Sequence, residues 1–125
     1  MKTQKNNFII LSADNTETLK NVLEDLNYTF QQCTGKYKGT IETSFLVRLD
    51  DQMQLDILKK LAFNNFNQES VLIRMNNKIA LVYSNGNIER FSSFKMINKN
   101  NPYFLSDKIE NDYTCINGNY YILKK

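Results

Sequence analysis

The residues with chemistry to offer fall into two clusters. The first is Gly35-Lys36-Tyr37-Lys38-Gly39-Thr40-Ile41-Glu42-Thr43-Ser44-Phe45-Leu46-Val47, where two glycines, a tyrosine, a glutamate and a serine precede an apolar run. The second is Gln68-Glu69-Ser70, reached after one helical stretch. Glu42 and Glu69 are carboxylates that could act as acid and base, while Tyr37, Ser44 and Gln68 could hydrogen-bond a ribose or a base edge. The competing reading is structural: Glu42 and Gln68 accept bonds from loop amides, because a buried unpaired donor costs about 1–3 kcal/mol. Arg48 and Arg74 each close a run of three apolar residues. Their guanidinium forks suit phosphate near a helix start, although Asp50 and Asp51 could pair with them instead. The candidate ligand-binding residues are therefore Tyr37, Glu42, Ser44, Arg48, Gln68, Glu69 and Arg74. None is assigned as catalytic.

Several chemistries find no motif. The chain has no histidine, and Cys33 and Cys115 are isolated thiols, so neither a metal site nor a cofactor is expected. Gly35 to Gly39 lacks the spacing and trailing Lys-Ser/Thr of a phosphate-binding loop, and no Gly-x-Ser-x-Gly is present. Sixteen basic and thirteen acidic residues among 125 give a net charge of +3, interleaved and too mild for a duplex-DNA binder. No apolar run is long enough to span a bilayer, and Asp14 after the first apolar run argues against a signal peptide. A cytoplasmic protein with reduced cysteines is expected. Heavy use of asparagine and lysine is consistent with an AT-rich genome.

These residues must be positioned by a small set of elements. Phe8 to Ser12 reads as a strand buried on both faces. Asp14-Asn15-Thr16-Glu17 opens a helix to about Leu26, with Leu19, Val22, Leu23 and Leu26 as its apolar stripe. Tyr28 to Lys38 reads as a polar strand, turning at Gly39-Thr40 into a strand from Ile41 to Leu49. There Ile41, Thr43, Phe45 and Val47 share one face, with Ile41, Phe45 and Val47 in the core. Glu42, Ser44, Leu46 and Arg48 share the other. Asp51 to Gln54 opens a second helix to about Phe66. Ser70 to Arg74, Lys78 to Ser84 and Asn87 to Phe94 read as strands joined by Asn76-Asn77 and Asn85-Gly86 turns. Met96 to Asp112 is weakly patterned, and Asn117-Gly118 marks a closing hairpin.

The order predicts an α+β fold: a two-layer sandwich with both helices on one face of a mixed or antiparallel sheet. One domain over 1–125 is expected, with a core at 1–94 and an extension at 95–125. The strands bearing Glu42 and Gln68 should run in the same direction, adjacent or with the first strand between them. That would bring Glu42, Ser44, Gln68 and Glu69 to one sheet edge.

The pattern Gly35-x-Tyr37-x-Gly39-x-x-Glu42-x-Ser44-Phe45-Leu46-Val47, with Phe66-x-Gln68-Glu69-Ser70-Val71 after a helix, resembles a family of small bacterial and tailed-phage proteins of unknown function. The similarity covers about Phe8 to Ser84 and transfers no catalytic residue. It implies a non-catalytic binding protein, phage-encoded, acting in the host cytoplasm as an accessory or counter-defence factor. Its partner would be a host protein to block or a small nucleotide-like ligand to sequester, with homo-oligomerisation left open and no membrane involved. One alternative is single-stranded nucleic-acid binding by the aromatics and basics of 90–95 and 120–125. Another is a carboxylate-dependent hydrolase using Glu42 and Glu69.

Overall fold

The computed structural model describes residues 7–37, 40–98 and 113–124. Its elements are β1 (Phe8–Ser12), α1 (Thr16–Asp25), β2 (Phe30–Tyr37), β3 (Thr40–Arg48), α2 (Gln52–Lys60), a π-helical turn (Leu61–Asn65), β4 (Ser70–Met75), β5 (Lys78–Tyr83), β6 (Ile88–Phe91), β7 (Ser93–Asn98), β8 (Tyr113–Ile116) and β9 (Asn119–Lys124). The sheet grows outward from β1, whose residues Ile9 to Ser12 are all buried. It pairs antiparallel with β3 on one side and β4 on the other. β3 and β4 therefore run in the same direction, roughly 10 Å apart across β1.

Alternation along β1 sends side chains to two cores. Ile9 and Leu11 join Phe45, Val47, Val71 and Ile73 in the cluster that Leu19, Leu23, Leu55 and Leu58 cover from the helices. Ile10 faces the other way, with Leu72, Ile79 and Cys33, flanked by Leu46, Leu81 and Phe94. The α+β class and the placement of both helices on one face agree with expectation. The second face is not left in water. The strand order is β6-β5-β4-β1-β3-β2-β8-β9-β7, so β6 and β7 stand at opposite ends of a nine-stranded sheet. Only Ser92 separates them in the chain. Every neighbouring pair is antiparallel, so these end strands run in the same direction. A one-residue link between the two ends is met only if the sheet coils round until its edges approach. Phe91 of β6 and Phe94 of β7 accordingly pack against the same inner cluster. The result is a nearly closed barrel with helices on part of its outside.

Local signals are mostly realised. Asn76 and Asn77 both take positive φ, as do Asn117 and Gly118, which matches the twist a two-residue hairpin needs. Gly86 takes φ 94 in the β5–β6 turn. Asn15 caps α1 by accepting from the Thr18 amide, and Asp51 caps α2 by accepting from the Gln54 amide at 2.8 Å. The Gln54 side chain returns the bond to the Asp50 amide.

Other expectations need correction. Ile41 is 62% exposed, because β1 ends opposite Ser44 and leaves the start of β3 paired on one side only. Leu26 is half exposed at the C-cap of α1. The α-helix ends at Lys60, not near Phe66, giving way to the π-helical turn. The strand read as Asn87 to Phe94 breaks at Ser92, and Met96 belongs to β7, paired with Tyr121. Lys38, Gly39 and residues 99–112 lie outside the described residues. Among the described residues, no helix is long and apolar enough to cross a membrane.

Candidate active site at one mouth of the barrel

The site begins with Ser12, the last residue of β1 and buried to 4% exposure. On one flank it faces Ser44 across β3, with Glu42 two residues earlier on the same face. On the other flank the chain arrives from α2. The π-helical turn closes with the Phe66 amide on the Leu61 carbonyl at 3.2 Å, and Asn67 takes φ 53. The Gln68 amide then donates back to the Ala62 carbonyl at 2.9 Å, fixing Gln68 just before β4. An inserted π turn of this kind is a recurrent feature of functional sites.

Ser12 ties the two flanks together. Its amide donates to Gln68 Oε1 at 2.8 Å, and its hydroxyl donates to Glu42 Oε1 at 2.7 Å. Gln68 Oε1 also lies 3.1 Å from the hydroxyl. A hydroxyl has one proton, and the shorter, charge-assisted bond to the carboxylate takes it. Because the amide of Ser12 must find an acceptor, the Gln68 amide is fixed with its oxygen towards Ser12 and its NH2 turned away. The structural reading of these residues is met in part. Gln68 satisfies the Ser12 backbone amide, while Glu42, among the described residues, meets the Ser12 side chain and stays exposed.

Around this knot opens a cavity of about 210 Å³. Its rim carries Glu42, Glu69, Gln68, Ser70 and Lys36, and its inner wall is built by Ile10, Leu72, Leu81 and Leu123. Tyr113, Tyr121 and Phe94 form the far side. Tyr113 and Tyr120 meet edge to face at 4.9 Å, and Lys36 Nζ lies 5.9 Å from the Tyr113 ring centre. Gly35 stands opposite Glu42 in the register of β2 and β3. A Cβ there would come within 3.4 Å of Ser44 Oγ, so the glycine holds the wall back from the hydroxyl. Cys33, opposite Ser44, is deeper; burial pushes its thiol up to about 12, which leaves it protonated and unreactive at neutral pH.

The seven residues singled out from sequence separate. Glu42, Ser44, Gln68 and Glu69 come together at this mouth. Arg48 and Arg74 lie at the opposite end of the barrel, on either side of Phe8. Tyr37 ends β2 opposite Thr40, and its side chain lies outside the described residues. Sequence reasoning missed Ser12, although its place at the end of an apolar strand between β3 and β4 makes it the natural bridge. It also missed the aromatic wall from β7, β8 and β9. Phe91 and Phe94 pack inward and Phe94 meets Tyr121 edge to face at 6.2 Å, so these rings are not on an open sheet face.

These features define a coiled antiparallel α+β domain with a carboxylate-rimmed cavity at one mouth. A family model described as the S-adenosylmethionine lyase family matches residues 7–124, and the chain belongs to that family. A comparison with curated proteins finds no match. The family is named for an enzyme, which overturns the expectation of a non-catalytic binding protein, inhibitor or counter-defence factor. The carboxylate-dependent hydrolase weighed as an alternative stands closer, as an enzyme. Nothing found supports a phage source. The match also continues past Ser84 and Phe94, through the strands that close the barrel.

Proposed function

We propose that this chain is a lyase that cleaves S-adenosylmethionine, with Glu42, Gln68, Ser12 and Glu69 at the centre of its site. The observation that carries this reading is a cavity whose rim is acidic and whose inner wall is apolar. The substrate is a sulfonium cation. Among the described residues, two rim carboxylates against one rim ammonium attract it, and the aliphatic wall gives it no solvation once inside. Charge at such a boundary is held, and a reaction that discharges it is favoured.

The chemistry asks little of protein acids. When a carbon–sulfur bond of a sulfonium breaks, the electron pair returns to sulfur and the leaving group is a neutral thioether. It needs no proton, so a site without histidine is not handicapped. Lyase cleavage adds no water: the new bond at carbon is made with electrons from within the substrate. Glu42, held by Ser12, is the oriented carboxylate facing the cation. Gln68 offers its NH2 to the ribose or base, and the aromatic wall packs on the flat ring. A cavity of about 210 Å³ is smaller than a site that engulfs a drug-sized ligand. It seats the sulfonium and one arm of the substrate, with the rest along the open rim.

Mass spectrometry on purified protein with S-adenosylmethionine in 18O-water tests the reading. The expected result is a neutral thioether and a partner fragment without 18O at early times. Incorporation of 18O during cleavage would assign a hydrolase instead, and an unaltered substrate would remove the proposal.

A further inference from the structure

The opposite mouth of the barrel is built as carefully as the first, and the lyase reading leaves its two arginines unused. A cavity of about 500 Å³ opens there, lined by Arg48, Arg74, Asn7 and the rings of Phe8, Phe94 and Tyr121. Among the described residues, its lining includes two guanidinium groups and no carboxylate. Phe8 is the register partner of Arg48 on β3 and of Arg74 on β4, so both arginines rise from the same face, one strand to either side of a ring.

Their strands are clamped by one residue. Asn7 is 4% exposed, accepts the Leu49 amide on its carbonyl at 3.0 Å, and accepts the Asn76 amide on Oδ1 at 3.0 Å. It thereby fixes the chain one residue after Arg48 and two after Arg74. Arg74 Nη2 donates to Asn77 Oδ1 at 3.3 Å, while its Nε is buried with no partner among the described residues. A buried donor left unmet is costly and calls for a partner, which an oxyanion in this cavity would supply. Two guanidinium groups lining one cavity with the tilted and edge-to-face rings of Phe8, Phe94 and Tyr121 suit a dianion on a flat body: the arginines take the oxyanion and the rings take the ring system. The volume falls within the range of sites that enclose a whole small ligand.

We infer that this mouth binds a phosphate monoester carried on an aromatic ring, of the size of a nucleoside monophosphate, separately from the lyase site. Phe94 and Tyr121 line both cavities, whereas Arg48 and Arg74 line this one alone and take no part in the proposed reaction.

Calorimetric titration of the full chain with 5′-AMP, adenosine and inorganic phosphate tests this. 5′-AMP is expected to bind, each half-molecule at least 10-fold more weakly, with affinity falling as salt rises. Arg74→Ala and Arg48→Ala should each weaken 5′-AMP at least 10-fold. Should either unfold, Arg74→Lys keeps the charge but not the fork, and should still weaken binding. Glu42→Gln should leave 5′-AMP affinity unchanged, and Arg74→Ala should leave cleavage of S-adenosylmethionine unchanged. Those two arms separate failure of this site from failure of the lyase reading. No binding of 5′-AMP, binding indifferent to both arginines, or full displacement by S-adenosylmethionine would overturn the inference.

Discussion

Ser12, Glu42 and Gln68 illustrate how little of a residue's role lies in its type. Ser12 matters because its amide and hydroxyl point to different partners, 2.8 Å and 2.7 Å away. Ser12→Ala removes the hydroxyl bond and leaves a buried methyl. It is expected to cost about 1 kcal/mol in urea unfolding and to lower kcat more than it raises KM, because the Glu42 carboxylate loses its anchor. Cys33 makes a prediction in pH. Its pKa rises from 9.0 to about 12 through burial, so between those values the unfolded chain has lost a proton that the folded chain keeps. Stability is therefore unaffected below about pH 9 and falls above it by about 1.4 kcal/mol per pH unit. Urea denaturation at pH 8 and pH 10 should show this decline, and Cys33→Ala should flatten it. A decline unchanged in Cys33→Ala would place its cause elsewhere. The convergence of Glu42 with Gln68 was legible from topology alone, since β3 and β4 had to share a direction. Ser12 was not, because an isolated serine after an apolar run carries no pattern.

At the scale of elements, β3 and the π-helical turn place the two halves of the site. Periodicity located β3, yet it placed Ile41 in the core, where the structure leaves it 62% exposed. Alternation specifies a face, but burial needs a neighbour on that face, and β1 ends at Ser12. The π turn was invisible for a related reason: Leu61 to Phe66 continues the helical apolar pattern, and only tertiary packing widens the last turn. Gly35 tests the wall that β2 supplies. Gly35→Val fills the space before Ser44 and should cut cleavage of S-adenosylmethionine at least 10-fold, while thermal unfolding shifts by only a few degrees. If activity survives with β2 intact, the cavity beside Gly35 is not where substrate sits.

On the scale of the whole molecule, the sheet's closure organises both mouths. Leu123, Tyr121 and Tyr113 of the last two strands complete the wall that β1, β4 and β5 begin. Hairpin signals announced these strands, but their pairing with β2 and β7 is long-range and leaves no local trace. Deleting residues 95–125 would strip β8, β9 and most of β7 from the barrel and expose Ile10, Leu72 and Cys33 to water. Such a chain is expected to lose cooperative thermal unfolding. Retention of a sharp transition would show that the first strands hold a core alone.

The central claim is that the acidic mouth is a lyase site organised on Glu42. It is tested most directly by following S-adenosylmethionine cleavage by wild type and Glu42→Gln at equal thermal stability. Because Glu42 is exposed and loses only its charge, the variant should fold as wild type does and cleave at least about 100-fold more slowly. Equal rates in the two proteins, or no cleavage by wild type, would contradict the claim.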